Sequence, residues 1–412
     1  MPTPVSRPSY RAVLQLPYAL RTFGSALVAR LSYGLVALSV LLTTVDATGS
    51  YATAGVVMAV FGGTMVVLTP LRATLVDRHG PRRALPPMVL LYTAFLCAFA
   101  FTAVRPGPSP LTLGTLIALA GACAPPLGPT MRAVWSELAP GKGMLQRAYS
   151  LDGVAEELLF VVGPVLVGVL VGVASPVAGV LASAAVMVVG TWGFVRSPGV
   201  RAFEGGAAKE RAGSGSDAYA GDECRTPDSS SASPRALLVP LALTAATGLA
   251  LSAADLLVTA FADRHGYAPG AAAWTLAALS VGSAVGGLLN GAVDWRTPAR
   301  TRLPRLAAAL GLLLIAAGAA PDIVTLAALL TLAGAFVTPV ITTSYLVAEE
   351  TTAPTARTRA GAWINTAVNA GSSAGAAGAG LLLARAPLGV CFAAAGAVAL
   401  VTGAGGAWAE RR

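Results

Sequence analysis

The chain has 412 residues, 55% of them hydrophobic and only 11% charged. A soluble domain carries about 25% charged residues, and a chain this apolar could not cover its own surface in water. The formal net charge of +9 comes without a basic stripe interleaved with aromatics, which excludes a nucleic-acid-binding surface.

Arg7, Arg11 and Arg21 precede the first apolar run, which lacks a clear small-residue cleavage site and reads as a first transmembrane helix rather than a removed signal. A hydrocarbon core of about 30 Å needs about 20 apolar residues. Six stretches qualify in the first half: Phe23–Val45, Ala52–Leu71, Leu85–Val104, Leu111–Met131, Val154–Val173 and Pro176–Val195. Residues 197–235 are rich in Gly, Ser and charge, with little to bury, and read as a flexible cytoplasmic linker. Six more spans follow: Leu237–Ala262, Ala271–Val293, Leu306–Ala320, Ile323–Val347, Gly361–Leu383 and Pro387–Ala407. The expected architecture is an all-α integral membrane protein of 12 transmembrane helices. Its domains are an N-terminal six-helix bundle (1–196), the linker, and a C-terminal six-helix bundle (236–412).

With both termini cytoplasmic, 24 Lys and Arg fall on cytoplasmic segments, Arg72 and Arg132 among them, and only Arg105, Arg264 and Arg385 outside. That is a strong positive-inside bias. Trp135, Trp192, Trp295, Trp363 and Trp408 fall near the same edge, as an interfacial belt does. Cys97, Cys123, Cys224 and Cys391 are isolated, which gives neither a disulfide framework nor a metal site.

The halves repeat one another. A shift of 217 sets Asp77, Pro81 and Arg83 on Asp294, Pro298 and Arg300. A shift of 212 sets Glu137, Arg147 and Ala148 on Glu349, Arg359 and Ala360. Both matches occupy the same topological place in each half, the mark of a parallel duplication.

The segment Ala73-Thr74-Leu75-Val76-Asp77-Arg78-His79-Gly80-Pro81-Arg82-Arg83 resembles the G-x-L-x-D-R-x-G-R-R signature between helices 2 and 3 of the major facilitator superfamily, with Ala73 in place of the leading Gly. Helix count, linker position and repeat extend the resemblance over the whole chain. Gly163 and Pro164 in the fifth span partly match the helix-5 motif of that family's exporters, and place a kink there. The Arg that its proton-coupled drug exporters carry on helix 4 is replaced by Ile117. The resemblance implies alternating access between two bundles, a small-molecule substrate and, for an exporter, protons as the coupling ion. The remaining expectations are a monomer in the plasma membrane bilayer, no cofactor and no enzymatic activity.

Asp77, Arg78, Gly80, Arg82 and Arg83, with Glu137, Arg147, Asp294, Arg300, Glu349 and Arg359, form a candidate cytoplasmic gate. A carboxylate at a helix exit beside arginines can take charge-assisted hydrogen bonds or face a neighbouring helix N-terminus. Ionisable groups at membrane depth usually face a cavity or a partner. Arg30 in the first span, Asp152, Glu156 and Glu157 at the start of the fifth, and Asp255 in the seventh are therefore candidates for proton coupling or substrate binding. Asp152 and Glu156 share a helix face, and Arg30 is expected to pair with Glu156 or Glu157. Asn365 and Asn369 on the eleventh span could line the cavity. The function expected is secondary active transport of a small, amphipathic molecule, with proton-coupled efflux ahead of nutrient uptake or a transporter-like receptor. No nucleophile, metal or nucleotide motif supports an enzyme or an ATP-driven pump.

Overall fold

The computed structural model describes residues 9–205 and 237–409. All regular structure among them is helical. A short α1 (Tyr10–Leu14) precedes the first half: α2 (Ala19–Thr48), α3 (Tyr51–His79), α4 (Pro81–Ala103), α5 (Pro110–Cys123), α6 (Leu127–Leu138), α7 (Gly141–Val173) and α8 (Pro176–Arg196). A further helix, α9, covers 198–205. The second half comprises α10 (Leu238–Arg264), α11 (Pro269–Ala292), α12 (Ala299–Ala317), α13 (Ile323–Thr351), α14 (Arg357–Leu383) and α15 (Leu388–Ala409).

Counting α5 and α6 as one interrupted crossing, each half crosses the membrane six times. Ten crossings among the described residues are long and apolar enough by composition alone. The other two are α12, which carries Arg300, Arg302 and Arg305, and α14, which is rich in Gly, Ser and Asn. Their place in the bundle is set by packing rather than by hydropathy.

The linker expectation meets a helix at its start. Ser197 and Val200 are fully buried, and Glu204 reaches the loop after α3. Residues 206–236, with Cys224, lie outside the described residues. Trp135 also departs from the belt: it is fully buried against Phe23, with ring centroids 5.4 Å apart. Trp192, Trp295, Trp363 and Trp408 are exposed.

Small residues set the helix crossings, because only they let backbones approach closely in lipid. A Cβ on Gly163 of α7 would lie 2.6 Å from the Cα of Gly34 on α2. At the repeat-related place, a Cβ on Gly375 of α14 would lie 2.8 Å from the Cα of Leu249 on α10. The fifth crossing thus leans on the first in both halves, and α7 continues through Pro164 without interruption.

Helices α7 and α14 also join the halves, α7 against α11 and α13, α14 against α3 and α6. Among the described residues, the hydrogen bonds and ion pairs that cross the seam lie between the face carrying the start of α1 and the end of α15, hereafter the basic face, and mid-membrane. Past Glu157, α7 parts from the second half. Leu158, Phe160, Val161, Val162, Val165, Leu166 and Val169 are all exposed, and at about 100° per residue they occupy too many sides of the helix to face lipid alone. The halves are closed at the basic face and parted at the opposite one.

Candidate functional site

A four-charge network lies inside the first half. Asp152 and Glu156, four residues apart, project from one face of α7. Arg30 of α2 reaches Asp152 at 2.7 Å and Glu156 at 2.8 Å. Arg132 of α6 reaches Asp152 at 3.0 Å and also pairs with Glu156. Each arginine thus holds both carboxylates and the formal charges cancel, which offsets the cost of taking four ions from water. Arg30 and Asp152 are 1% and 0% exposed, whereas Glu156 keeps 24%. Asp152 and Glu156 do not begin the helix at an interface: α7 starts at Gly141, and the paired charges sit within it. The apolar-run criterion stopped at these residues because it could not see their partners.

Two arginines assigned to loops from the sequence are buried. Arg132 belongs to the network, and its guanidinium lies 4.0 Å from the ring centroid of Tyr345 on α13, a cation–π contact across the seam. Arg72 is held by the interrupted fourth crossing. Pro125 has no N–H for the carbonyl of Gly121, and consecutive prolines end α5 at Cys123. The carbonyls of Gly121 (2.8 Å) and Ala124 accept from Arg72, which also donates to Thr69 (2.7 Å) and to the carbonyls of Met65 and Leu68. All five guanidinium N–H donors are thereby used. The Tyr33 hydroxyl donates to the Pro125 carbonyl. The Ala124-Pro125-Pro126 interruption was visible in the sequence and is the signal that leads to Arg72 and Tyr33.

Glu157 does not join Arg30. One residue on from Glu156, it points about 100° away around the helix, into the seam. There it accepts from Ser283 of α11 at 2.5 Å and Thr338 of α13 at 2.6 Å, while its other oxygen is buried without a hydrogen-bond partner among the described residues. Asn369 donates to the Asn365 side chain at 3.1 Å, and the neighbouring Thr366 donates across the seam to Val66, whose carbonyl Pro70 leaves free. Asp255 is exposed on α10, roughly 120–160° round the helix from Val239 and Leu243, which meet Gly406 of α15. It therefore faces away from that outer helix.

At the basic face two repeat-related aspartates cross the seam. The Asp77 carboxylate accepts the backbone N–H groups of Thr358 (3.2 Å) and Arg359 (2.8 Å) in the first turn of α14. Asp294 pairs at 2.8 Å with Arg147 of α7. Gly80 has φ +80°, a conformation that favours glycine, and a Cβ there would displace the Glu204 carboxylate 2.6 Å away. Arg82 takes Glu204 through its backbone N–H at 2.9 Å, Glu349 pairs with Arg357 at 2.6 Å, and Arg78, Arg83, Glu137, Arg300 and Arg359 are exposed.

Residues 22–317 match the family model of the Major Facilitator Superfamily. The chain belongs to that superfamily. No curated relative matches it in sequence. Among solved structures, a bacterial homologue of the iron transporter ferroportin in an outward-facing state aligns with a TM-score of 0.76 at 12% identity, covering 96% of this chain and 100% of that one. The human organic anion transporter TETRAN aligns at 0.67 with 16% identity, over 96% and 99% of the two chains. The E. coli fucose:proton symporter aligns at 0.62 with 13% identity, over 93% and 99%. At these identities the likeness is one of fold. This major facilitator protein is a membrane transporter, not an enzyme.

In this superfamily member the Asp77 contact is a charge at a helix N-terminus, where a carboxylate contributes up to about 1–2 kcal/mol. Asp77→Asn is expected to weaken closure of the basic face by about 1 kcal/mol, roughly fivefold in population. Spin-label distances between the basic-face ends of α3 and α14 read that shift as a longer-distance population.

Proposed function

We propose that the protein exports a small, amphipathic molecule across the plasma membrane in exchange for protons, as a monomer with its basic face in the cytoplasm. The observation that carries this reading is the position of Glu157. It belongs to the first half, its side chain is bonded among the described residues only to hydroxyls of the second, and it lies where the parted and closed regions meet. When the halves rock so that the basic face opens, Glu157 loses Ser283 and Thr338 and meets water instead. A carboxyl that alternates between those surroundings changes its proton affinity. The neutral four-charge network beside it stays within the first half and is the scaffold on which that movement turns. Asp77, Asp294 and their partners form the cytoplasmic gate. The arginine bias of the basic face supports the orientation, and Gly163-Pro164 supports export.

The test uses everted membrane vesicles with a pH-sensitive dye, energised and challenged with amphipathic antibiotics, dyes and metabolites. A compound that collapses the gradient with the parent and not with Glu157→Gln bears out proton-coupled export through this carboxyl. If both respond equally, Glu157 is not the proton carrier, and Asp255 becomes the next candidate. If neither responds at good expression, export is overturned in favour of uptake.

A further inference from the structure

Between the loop after α11 and the start of α12, at the basic face, lies a cavity of about 410 Å³. It is lined by Trp295, Arg296, Arg302, Arg305, Leu306 and Phe336. Arg302 is 5% exposed, and its Nε and Nη1 are buried without a hydrogen-bond partner among the described residues. Only Nη2 is engaged, with Oε1 of Gln146 at 3.1 Å, while the guanidinium stacks 4.7 Å from the Trp295 ring centroid. Asp294 borders the same cavity and is paired with Arg147.

We infer that this cavity is a binding site for a phosphate-bearing anion, and that its usual occupant is the headgroup of an anionic phospholipid. A buried guanidinium with unmet donors is costly, and the open donors of such a fork suit phosphate oxygens. Arg296 and Arg305, both exposed, add positive charge at the mouth. The apolar wall selects an amphipathic anion over a free one. Leu306 lies roughly 10 Å along α12 from its basic-face end, and Phe336 sits mid-way along α13, so the groove runs from the loop toward hydrocarbon.

A basic-face cavity of the first half offers a contrast. It measures about 640 Å³ and is lined by Arg82, Arg83 and Trp192. There the chain supplies its own anion: Glu204 takes the Arg82 N–H and lies 3.9 Å from the Arg82 guanidinium. At Arg302 the acidic neighbour is Glu350, which is paired with Lys142 at 2.8 Å, and no carboxylate hydrogen-bonds the Arg302 guanidinium among the described residues. Because Arg302 also holds Gln146, which donates to the Asn290 carbonyl at 2.5 Å across the seam, an occupant braces the closed basic face.

The full chain, purified and delipidated, is offered phosphatidylglycerol, phosphatidylcholine or inorganic phosphate, and followed by native mass spectrometry and thermal melting. The parent is expected to retain phosphatidylglycerol about tenfold more than phosphatidylcholine, and Arg302→Gln to abolish that preference. Arg305→Gln, at the exposed mouth, weakens it and serves if Arg302→Gln does not fold. A rise in melting temperature with inorganic phosphate, lost in the same variants, keeps the anion site but makes its source soluble. Equal retention of both lipids by parent and variants, with no response to phosphate, overturns the inference.

Discussion

Asp152→Asn is expected to destabilise the first half by about 3–5 kcal/mol, because it leaves two buried arginines facing one carboxylate. Asp152 is fully buried between Arg30 and Arg132, and neither guanidinium can reach water without moving α2 or α6. Glu156 cannot take up the surplus, since it is already paired with both arginines. The side-chain volume hardly changes, so the loss reports charge rather than packing. Thermal unfolding of the detergent-purified protein measures it. The double variant Arg30→Met/Asp152→Asn restores neutrality, with Arg132 and Glu156 as the remaining pair. It is expected to recover at least about 1 kcal/mol of what the two single changes sum to, as coupled charges do. Melting of Asp152→Asn at the parental temperature would remove the network from any account of how this half holds together.

The sequence carried the architecture because a membrane writes it in composition: long apolar runs, a charge bias between faces, and a duplicated loop motif. Residue spacing also carried the relation of Asp152 to Glu156, which needs only the helical repeat. Neighbouring Glu156 and Glu157 part company for the same reason, but which goes to Arg30 and which to Ser283 and Thr338 depends on where α2 and α11 stand. Spacing within α7 does not contain that. The loop aspartates could be matched by shift alone, yet they use different partners, backbone N–H groups for Asp77 and a guanidinium for Asp294. Arg72 and Arg132 were misassigned for a definite physical reason. Hydropathy and charge counting treat every arginine as if it sought water, whereas these two are satisfied by carbonyls and carboxylates within the bundle. The start of α12 was blurred by the same rule, since Arg302 there is buried although Arg300 and Arg305 are exposed.

Arg72→Met is expected to cost about 1–3 kcal/mol, from the Ala124 carbonyl left buried without a donor and the Gly121 carbonyl left with only the Ala124 N–H at 3.4 Å. The Ala124 carbonyl has no helical N–H to turn to and Gly121 lacks its i+4 donor, because Pro125 and Pro126 end the α5 ladder before α6. Arg72→Lys keeps the charge but offers three donors from one point instead of five in a plane, so it cannot reach both carbonyls together with Met65, Leu68 and Thr69. Tyr33→Phe removes one hydroxyl from the Pro125 carbonyl, which still accepts from the Leu127 N–H at 2.9 Å. The expected order of melting temperature is therefore parent, Tyr33→Phe, Arg72→Lys, Arg72→Met. Transport adds a readout that a passive strut would not move. Arg132 rides on α6 five residues beyond its first residue, so loosening the interruption displaces it from Asp152 and Tyr345, and turnover is expected to fall further than apparent substrate affinity. If Arg72→Lys melts and turns over like the parent, charge alone is what the fourth crossing needs. If it falls between the parent and Arg72→Met on both measures, the planar fork holds the two segments of that crossing in register with the charged network.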